Sequence, residues 1–429
     1  MTRARDLADS ADKDIVGTIT VDGLTVAGNV SVDGGTIKLD GNYPVGTNNV
    51  ALGDTALDSN VSGNNNTALG HGSLTAQTGS ASTAVGASVL AVNTGNENTA
   101  VGAFSMGANT TGTANVSVGL SALASNTTAS NNTAVGYQAM DANTTGTSNT
   151  SVGKSSLGAN ITGNSLTAIG SNALLVNTTS GNTAVGSNAA YNNTSGRVDA
   201  FGVNAAFSNT TGNYNSAFGQ QNGFLAALQS NTTGSSNAAF ATGALGNTTT
   251  GSSNTGIGVA ALYSNTTASN NTAVGYQALY DNTTGVRNSA YGDNSLANNT
   301  TANNNNAFGY LSLYTNTTGT ANVGIGTEAL FSNTTATYNT AVGYQAMYSN
   351  TTAQYNTAIG GAAMQYNTTG GENAALGVGA LNVNTSGSYN TAVGRSALVA
   401  NTTASFNTAL GWQSLYSNTT GTFNIGIGP

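Results

Sequence analysis

The stretch Asn271–Gly285 (NTAVGYQALYDNTTG) decides the fold, because copies of it recur through the chain from Val50 onward. Twenty-three copies align on the position that follows the Ala-Val pair; it is Gly275 in this copy and glycine in every other copy except one, where Ala241 takes its place. They are spaced by 16 or 17 residues, except for one step of 22 between Gly219 and Ala241. A period this strict means that every copy occupies the same place in a stack of repeats.

The repeat is too short to hold both a strand and a helix, since leucine-rich repeats need about 20–29 residues for that. It is also rich in Gly, Asn and Thr, which favour turns and strands over helix interiors. We therefore predict an all-β fold, a parallel β-solenoid (β-roll) of about 23 turns with a 16–17 residue repeat. Strands are predicted at segments such as Asn-Thr-Ala-Val and Ala-Leu-Tyr-Ser, with turns at the glycine and at the Asn-Thr-Thr-Gly cluster.

Aligned positions of the repeat form columns along the predicted coil. The residue two before the glycine is small and the residue one before it is large and apolar, so the two face opposite sides of a strand. We predict that the large residues fill the interior, and that the small ones allow close approach of backbone, including that of another chain. The predicted core residues are Val135, Val152, Val274 and Val342, with Leu157, Leu262 and Leu330 from the column four after the glycine; the predicted turn glycines are Gly136, Gly275 and Gly343.

A column of asparagines stands seven residues after the glycine. Side-chain amides stacked about 4.8 Å apart can hydrogen-bond along the axis as a ladder. The same residues belong to Asn-Thr-Thr, an acceptor pattern for N-glycosylation, so a sugar-coated rod is the alternative. The predicted ladder includes Asn126, Asn143, Asn265, Asn282 and Asn350.

Composition argues against most chemistry. Charged residues make up 6% of the chain, the net charge is −8 and there is no cysteine. These values disfavour a nucleic-acid partner and exclude thiolate metal sites, and no apolar run is long enough to span a membrane. The single His71 lies in a variable column typical of solvent-facing positions, and the carboxylates are scattered singly. We predict no catalytic residues, no cofactor, no metal and no enzymatic activity.

The chain divides into three parts by sequence pattern. Residues 1–13 form a short charged arm, and residues 14–47 contain brief alternating strands closed by Asp-Gly or Gly, which predict an adaptor that joins the rod to another component. The adaptor is open to two interpretations, a hairpin or a small intertwined β-helix. Residues 48–429 are predicted to form the solenoid rod.

The repeat phrase, present in pieces at 132–140, 271–285, 339–352 and 407–421, resembles the repeats of bacteriophage tail fibre proteins, especially those of marine and cyanobacterial phages. It is more distantly similar to the β-roll head of trimeric autotransporter adhesins. The resemblance implies a homotrimeric fibre on an extracellular virion that serves host attachment, with other fibre components at the N-terminus and a host receptor or polysaccharide as partners. Two alternatives are a subunit that stacks head to tail into a filament and a cell-surface adhesin.

Two features could carry recognition. The 22-residue step inserts five residues that should bulge from the rod, so Gln220, Gln221, Asn222 and Phe224 are candidate contacts. Aromatic residues also accumulate in two columns toward the C-terminus, where they either present faces to sugars or stabilise the stack.

Overall fold

A computed structural model describes residues 46–59 and 62–428, which form a β-coil with no helix in that part of the chain. Each turn contributes one short strand of three or four residues, the Thr-Ala-Val segment of the repeat. The strands are β1 (Val50–Leu52), β2 (Thr67–Leu69), β3 (Thr83–Val85), β4 (Thr99–Val101), β5 (Val116–Val118), β6 (Thr133–Val135), β7 (Thr150–Val152), β8 (Thr167–Ile169), β9 (Thr183–Val185), β10 (Val198–Phe201), β11 (Asn215–Phe218), β12 (Ala238–Phe240), β13 (Thr255–Ile257), β14 (Thr272–Val274), β15 (Ser289–Tyr291), β16 (Asn306–Phe308), β17 (Val323–Ile325), β18 (Thr340–Val342), β19 (Thr357–Ile359), β20 (Ala374–Leu376), β21 (Thr391–Val393), β22 (Thr408–Leu410) and β23 (Ile425–Ile427).

Every strand pairs in parallel with the strand of the next turn, and equivalent residues of the repeat lie opposite one another. Thr255 pairs with Thr272 and Ile257 with Val274, for example. The register passes the 22-residue step unchanged, since Phe218 of β11 pairs with Phe240 of β12. The predicted parallel β-solenoid is confirmed. Its 23 strands are separated by 22 spacings, which at about 4.8 Å each give a stack about 105 Å long.

The interior is narrower than the sequence suggested, and the prediction for the valines is wrong. The small residue of each strand points inward: Ala273 is fully buried, whereas Val152 is 36% exposed. Val135, Val274 and Val342 are only half-buried. The leucine side chain of each turn reaches across the interior to the small column, because a Cβ added at Gly256 would lie 3.3 Å from Leu245 Cγ. The space between them therefore accepts only a small side chain, and the column contains Ala, Gly and, at Ser117 and Ser151, Ser.

The core consists of a few repeated columns that one chain fills by itself. Leu157, Leu262 and Leu330 are fully buried, and so is a second alanine column immediately before the leucines. The small column therefore packs inside its own chain, not against another chain as expected. The second alanine column includes Ala122, Ala139, Ala173, Ala261, Ala278, Ala329 and Ala346.

The segment predicted as a second strand forms a tight turn instead. In the copy Gln277–Tyr280, Gln277 and Leu279 lie in the left-handed region, with φ values of 50° and 52° respectively. A strand requires extended backbone, so these two residues prevent the Ala-Leu-Tyr-Ser segment from pairing as β-structure. The turn instead directs the alanine and the leucine into the core.

The three predicted corner glycines are required by φ and by space. Gly136, Gly275 and Gly343 have φ between 136° and 140°, a region that residues other than glycine rarely adopt. A Cβ at Gly275 would lie 2.4 Å from the carbonyl oxygen of Gly292 in the next turn. Stacking of the turns thus forces glycine at the corner.

The predicted N-terminal arm at 1–13 lies outside the described residues, as does the predicted adaptor at 14–47 except for its last two residues. Those two predictions stand as made. The predicted rod begins at residue 48, and its first strand begins at Val50.

Candidate functional site: the outer apolar stripe and the insertion loop

The large residues that precede the corner positions form a continuous stripe on the outside of the coil. We call this set the outer apolar stripe. One such residue is contributed by every strand, and many are more than one third exposed, including Ile169 at 40% and Ile325 at 41%. From β2 to β22 the stripe comprises Leu69, Val85, Val101, Val118, Val135, Val152, Ile169, Val185, Phe201, Phe218, Phe240, Ile257, Val274, Tyr291, Phe308, Ile325, Val342, Ile359, Leu376, Val393 and Leu410.

Strand register makes the stripe a ladder of touching side chains. Phe201, Phe218 and Phe240 stack with ring centroids 4.6 and 4.7 Å apart, and Tyr291 stacks on Phe308 at 4.7 Å. These contacts cover the ring faces and leave ring edges and aliphatic groups on the surface. The stripe is thus an ordered apolar surface that runs along the coil.

The predicted asparagine ladder is present in the interior. Asn282 Nδ2 donates to Asn265 Oδ1 at 3.1 Å and to the Gly285 carbonyl at 3.0 Å, and Asn299 Nδ2 donates to Asn282 Oδ1 at 2.8 Å. Asn126, Asn143 and Asn350 make the equivalent bonds and, like Asn265 and Asn282, are fully buried. A glycan on these residues would require the ladder to open, so the folded coil disfavours the glycosylation alternative for this column.

A second asparagine column, four residues before the corner, was not identified from the sequence. Asn132 Oδ1 accepts from the backbone N–H of Asn149 at 2.9 Å, and its Nδ2 donates to the Gly146 carbonyl at 2.9 Å. Each amide thus satisfies two backbone groups of the next turn. In the sequence, this column is visible as the recurrent Asn that opens the Asn-Thr-Ala-Val phrase. Other members include Asn98, Asn115, Asn149, Asn254, Asn271, Asn288, Asn305, Asn322 and Asn339.

The five-residue insertion follows β11 and is held at both ends. On one side, Gln221 Oε1 accepts from Asn204 Nδ2 at 2.7 Å. On the other, the Phe224 ring meets Tyr263 edge-on at 5.4 Å and is half-buried. Gln220 and Asn222 are exposed. Of the four predicted contact residues, Gln220, Gln221 and Asn222 are on the surface, whereas Phe224 packs back onto the rod.

The C-terminal aromatic columns are mainly stacks. Tyr338 and Tyr355 lie 5.3 Å apart and nearly parallel, and Tyr389, Phe406 and Phe423 continue the same column at 4.9 Å spacings. The rings cover one another's faces, so few faces remain for a sugar. This geometry favours the stabilising interpretation of these columns.

Titratable groups are spread along the coil. Burial raises the pKa of Asp141 and of Asp281, and the hydrogen bond that the Tyr389 hydroxyl donates to the Glu372 carboxylate raises the pKa of that hydroxyl. Asp141 lines a surface groove of about 300 Å³ together with Gln138 and Leu175. His71 is exposed and lies 3.8 Å from Asp54.

Within the described residues, no group of three or more His, Asp or Glu side chains is arranged to hold a metal ion. The described part of the chain also contains no helix of the length and apolarity that a membrane span needs.

Comparisons with protein-family models, with curated proteins and with solved structures found no match for this chain.

Proposed function

We propose that this chain is the shaft of a phage tail fibre, a homotrimer on an extracellular virion that contributes to host-cell attachment without enzymatic activity. The observation that carries the proposal is the outer apolar stripe, which runs along a uniform coil of 23 strands. The assignment to a tail fibre rests on the resemblance of the repeats. The structure supports the proposal with the regular coil and its apolar surface.

The coil suits a spacer because each turn repeats the one before. Stability in such a stack is a sum of similar contributions from successive turns. The side chains that face solvent vary from turn to turn, while the buried columns stay nearly constant. Selection on such a chain therefore acts on length and straightness more than on a single surface site.

The outer apolar stripe supports association of identical chains. Large apolar patches on monomers reach about 300–600 Å², whereas this stripe extends over 21 consecutive strands, β2 to β22, and many of its members are more than one third exposed. The stripe is continuous along the coil, so parallel copies in register would bury it evenly. The count of three chains rests on the resemblance to trimeric fibres and adhesins.

The role can be tested on virus particles. Gold-labelled antibodies raised against the purified rod should decorate the tail fibres of the phage that encodes the chain. Antibodies that label a bacterial cell surface instead would favour the adhesin alternative, and labelling of neither would contradict the proposal.

Electron microscopy of the purified chain tests the shaft form separately. We expect discrete straight particles that contain a segment of about 105 Å. Particles whose length grows with protein concentration would favour the head-to-tail filament, and globular particles would contradict both.

A further inference from the structure

The insertion loop contains an asparagine in an environment unlike that of the ladder asparagines. Asn222 is followed by Gly223, and no other asparagine of the chain is followed by glycine. This sequence is rare here although the chain contains 57 glycines and many asparagines. The Asn-Gly pair also lies in the one step of the repeat that departs from 16 or 17 residues.

The structure leaves the apex of the loop free. Asn222 and Gly223 are both exposed, and a Cβ added at Gly223 would have no atom within 4 Å. The last backbone bond before the apex is from Gln221 N–H to the Val203 carbonyl at 3.3 Å, and the next after it joins Gly243 N–H to the Leu225 carbonyl at 2.8 Å. Among the described residues, no hydrogen bond involves Asn222 or Gly223.

Most other asparagines of the coil are protected by their bonds. In the two buried columns, the side-chain amide is held by carbonyl groups and by neighbouring amides, as for Asn282 and Asn132. The amide carbon of such a residue cannot rotate toward the next backbone nitrogen without breaking these bonds. Asn222 has no such restraint, and its neighbour lacks the side chain that would hinder the approach.

We infer that Asn222 is a site of spontaneous deamidation. The backbone nitrogen of Gly223 attacks the side-chain amide carbon of Asn222, loses its proton to solvent and expels ammonia to form a cyclic imide. Water then opens the ring at either carbonyl, which gives aspartate or isoaspartate. Each event adds one negative charge to a chain of net charge −8, at the exposed tip of the insertion.

The modification itself does not depend on the proposed function, although its consequence for attachment does. A new carboxylate at the tip would disfavour an anionic surface and favour a cationic one. The isoaspartate form also lengthens the backbone between the two anchors, Gln221 and Phe224. With time, deamidation would thus alter the charge of the rod at one defined place, the tip of the insertion, while the stacked turns stay intact.

Peptide mapping by mass spectrometry tests the inference on the intact folded chain. After incubation at mildly alkaline pH, a chymotryptic peptide with Asn222 should gain the mass of an amide-to-acid conversion at least ten times faster than peptides with Asn131 or Asn270. Those two asparagines are exposed on regular turns but are followed by asparagine. Asn222→Gln, whose longer side chain disfavours ring formation, should abolish the fast conversion.

Denaturant provides the second measurement. The rate at Asn222 should be similar in the folded chain and in guanidinium, because the apex is already free, whereas the buried asparagines should convert faster once unfolded. A rate at Asn222 no higher than at Asn131 and Asn270 would overturn the inference. A large acceleration of Asn222 on unfolding would overturn it as well, since it would mean that the folded loop restrains the residue.

Discussion

The leucine of each turn combines burial with a backbone conformation that leucine rarely adopts. The residues of this column have φ between 47° and 55°, in the left-handed region. A residue branched at Cβ is least tolerated there. This explains why the column contains Leu, Met and Ala but no Val or Ile, although Val and Ile are frequent one residue before the corner.

Replacement of one leucine separates backbone strain from core volume. Leu279→Ile keeps the side-chain volume but places a β-branched residue at φ 52°, so we expect a loss of about 2–3 kcal/mol. Leu279→Met should cost less than about 1.5 kcal/mol. Urea titration followed by circular dichroism measures both, and equal losses would show that the backbone conformation is not the constraint.

Ala241 occupies the corner position, which is glycine in all the other copies of the repeat. Its φ is 117°, which is strained for any residue with a Cβ. Ala241→Gly should therefore stabilise the coil by about 1 kcal/mol, after the added flexibility of the unfolded chain is subtracted. A calorimetric melting temperature at or below that of the parent would contradict this account of the corner.

The turn is held together by amide ladders as much as by its apolar core. Each ladder asparagine bonds to its own turn and to the turns on either side, so one substitution affects three turns. Asn282→Leu removes a donor to Asn265 and an acceptor for Asn299. We expect it to cost about 2–4 kcal/mol in chemical unfolding. Asn222→Ala, outside any ladder, is the control and should change stability by less than about 0.5 kcal/mol.

One break in the ladder predicts a stabilising substitution. Thr248 replaces asparagine, and Asn231 Oδ1 is the one buried side-chain oxygen or nitrogen of the described residues without a hydrogen-bond partner. Thr248→Asn should supply a donor to Asn231 Oδ1, while its own Oδ1 takes over from the Thr248 hydroxyl as the acceptor for Asn265, with a gain of about 1 kcal/mol. A destabilised variant would indicate that the site lacks room for the larger side chain.

The sequence predicted the coil but reversed the two faces of its strands. The period of the corner glycine was sufficient for the solenoid, because stacking imposes the same φ on every copy. Alternation between Ala273 and Val274 separates two faces without stating which is inside. The general preference for large apolar interiors favoured the valine, whereas the narrow coil, already crossed by leucine, admits only a small residue such as the alanine.

Two further differences between the sequence-based prediction and the structure also depend on the local backbone conformation. The turn around Leu279 was predicted as a strand because left-handed leucines are uncommon and carry no composition signal. The asparagine column that includes Asn132 was attributed to the strand phrase, although its recurrence was visible. Its function became evident only from the carbonyl groups that it reaches in the next turn.

For the whole molecule, the closed core and the outer apolar stripe have separate consequences. The interior is filled by side chains of one chain, so we expect the fold to persist in a single chain. The outer apolar stripe is the surface that remains available for association with other copies of the chain. Substitutions on the stripe should therefore change the assembly while the fold persists, which core substitutions cannot do.

Multi-angle light scattering tests this claim most directly, on the parent chain and on a stripe variant with Val135→Asp, Val152→Asp and Ile169→Asp. The control carries Thr144→Asp, Ile161→Asp and Thr178→Asp, in another outward column of nearby turns. We predict three times the chain mass of 42.2 kDa for the parent and the control, and a single-chain mass with unchanged circular dichroism for the stripe variant. A single-chain mass for the parent, or a stripe variant that stays associated, would contradict the account.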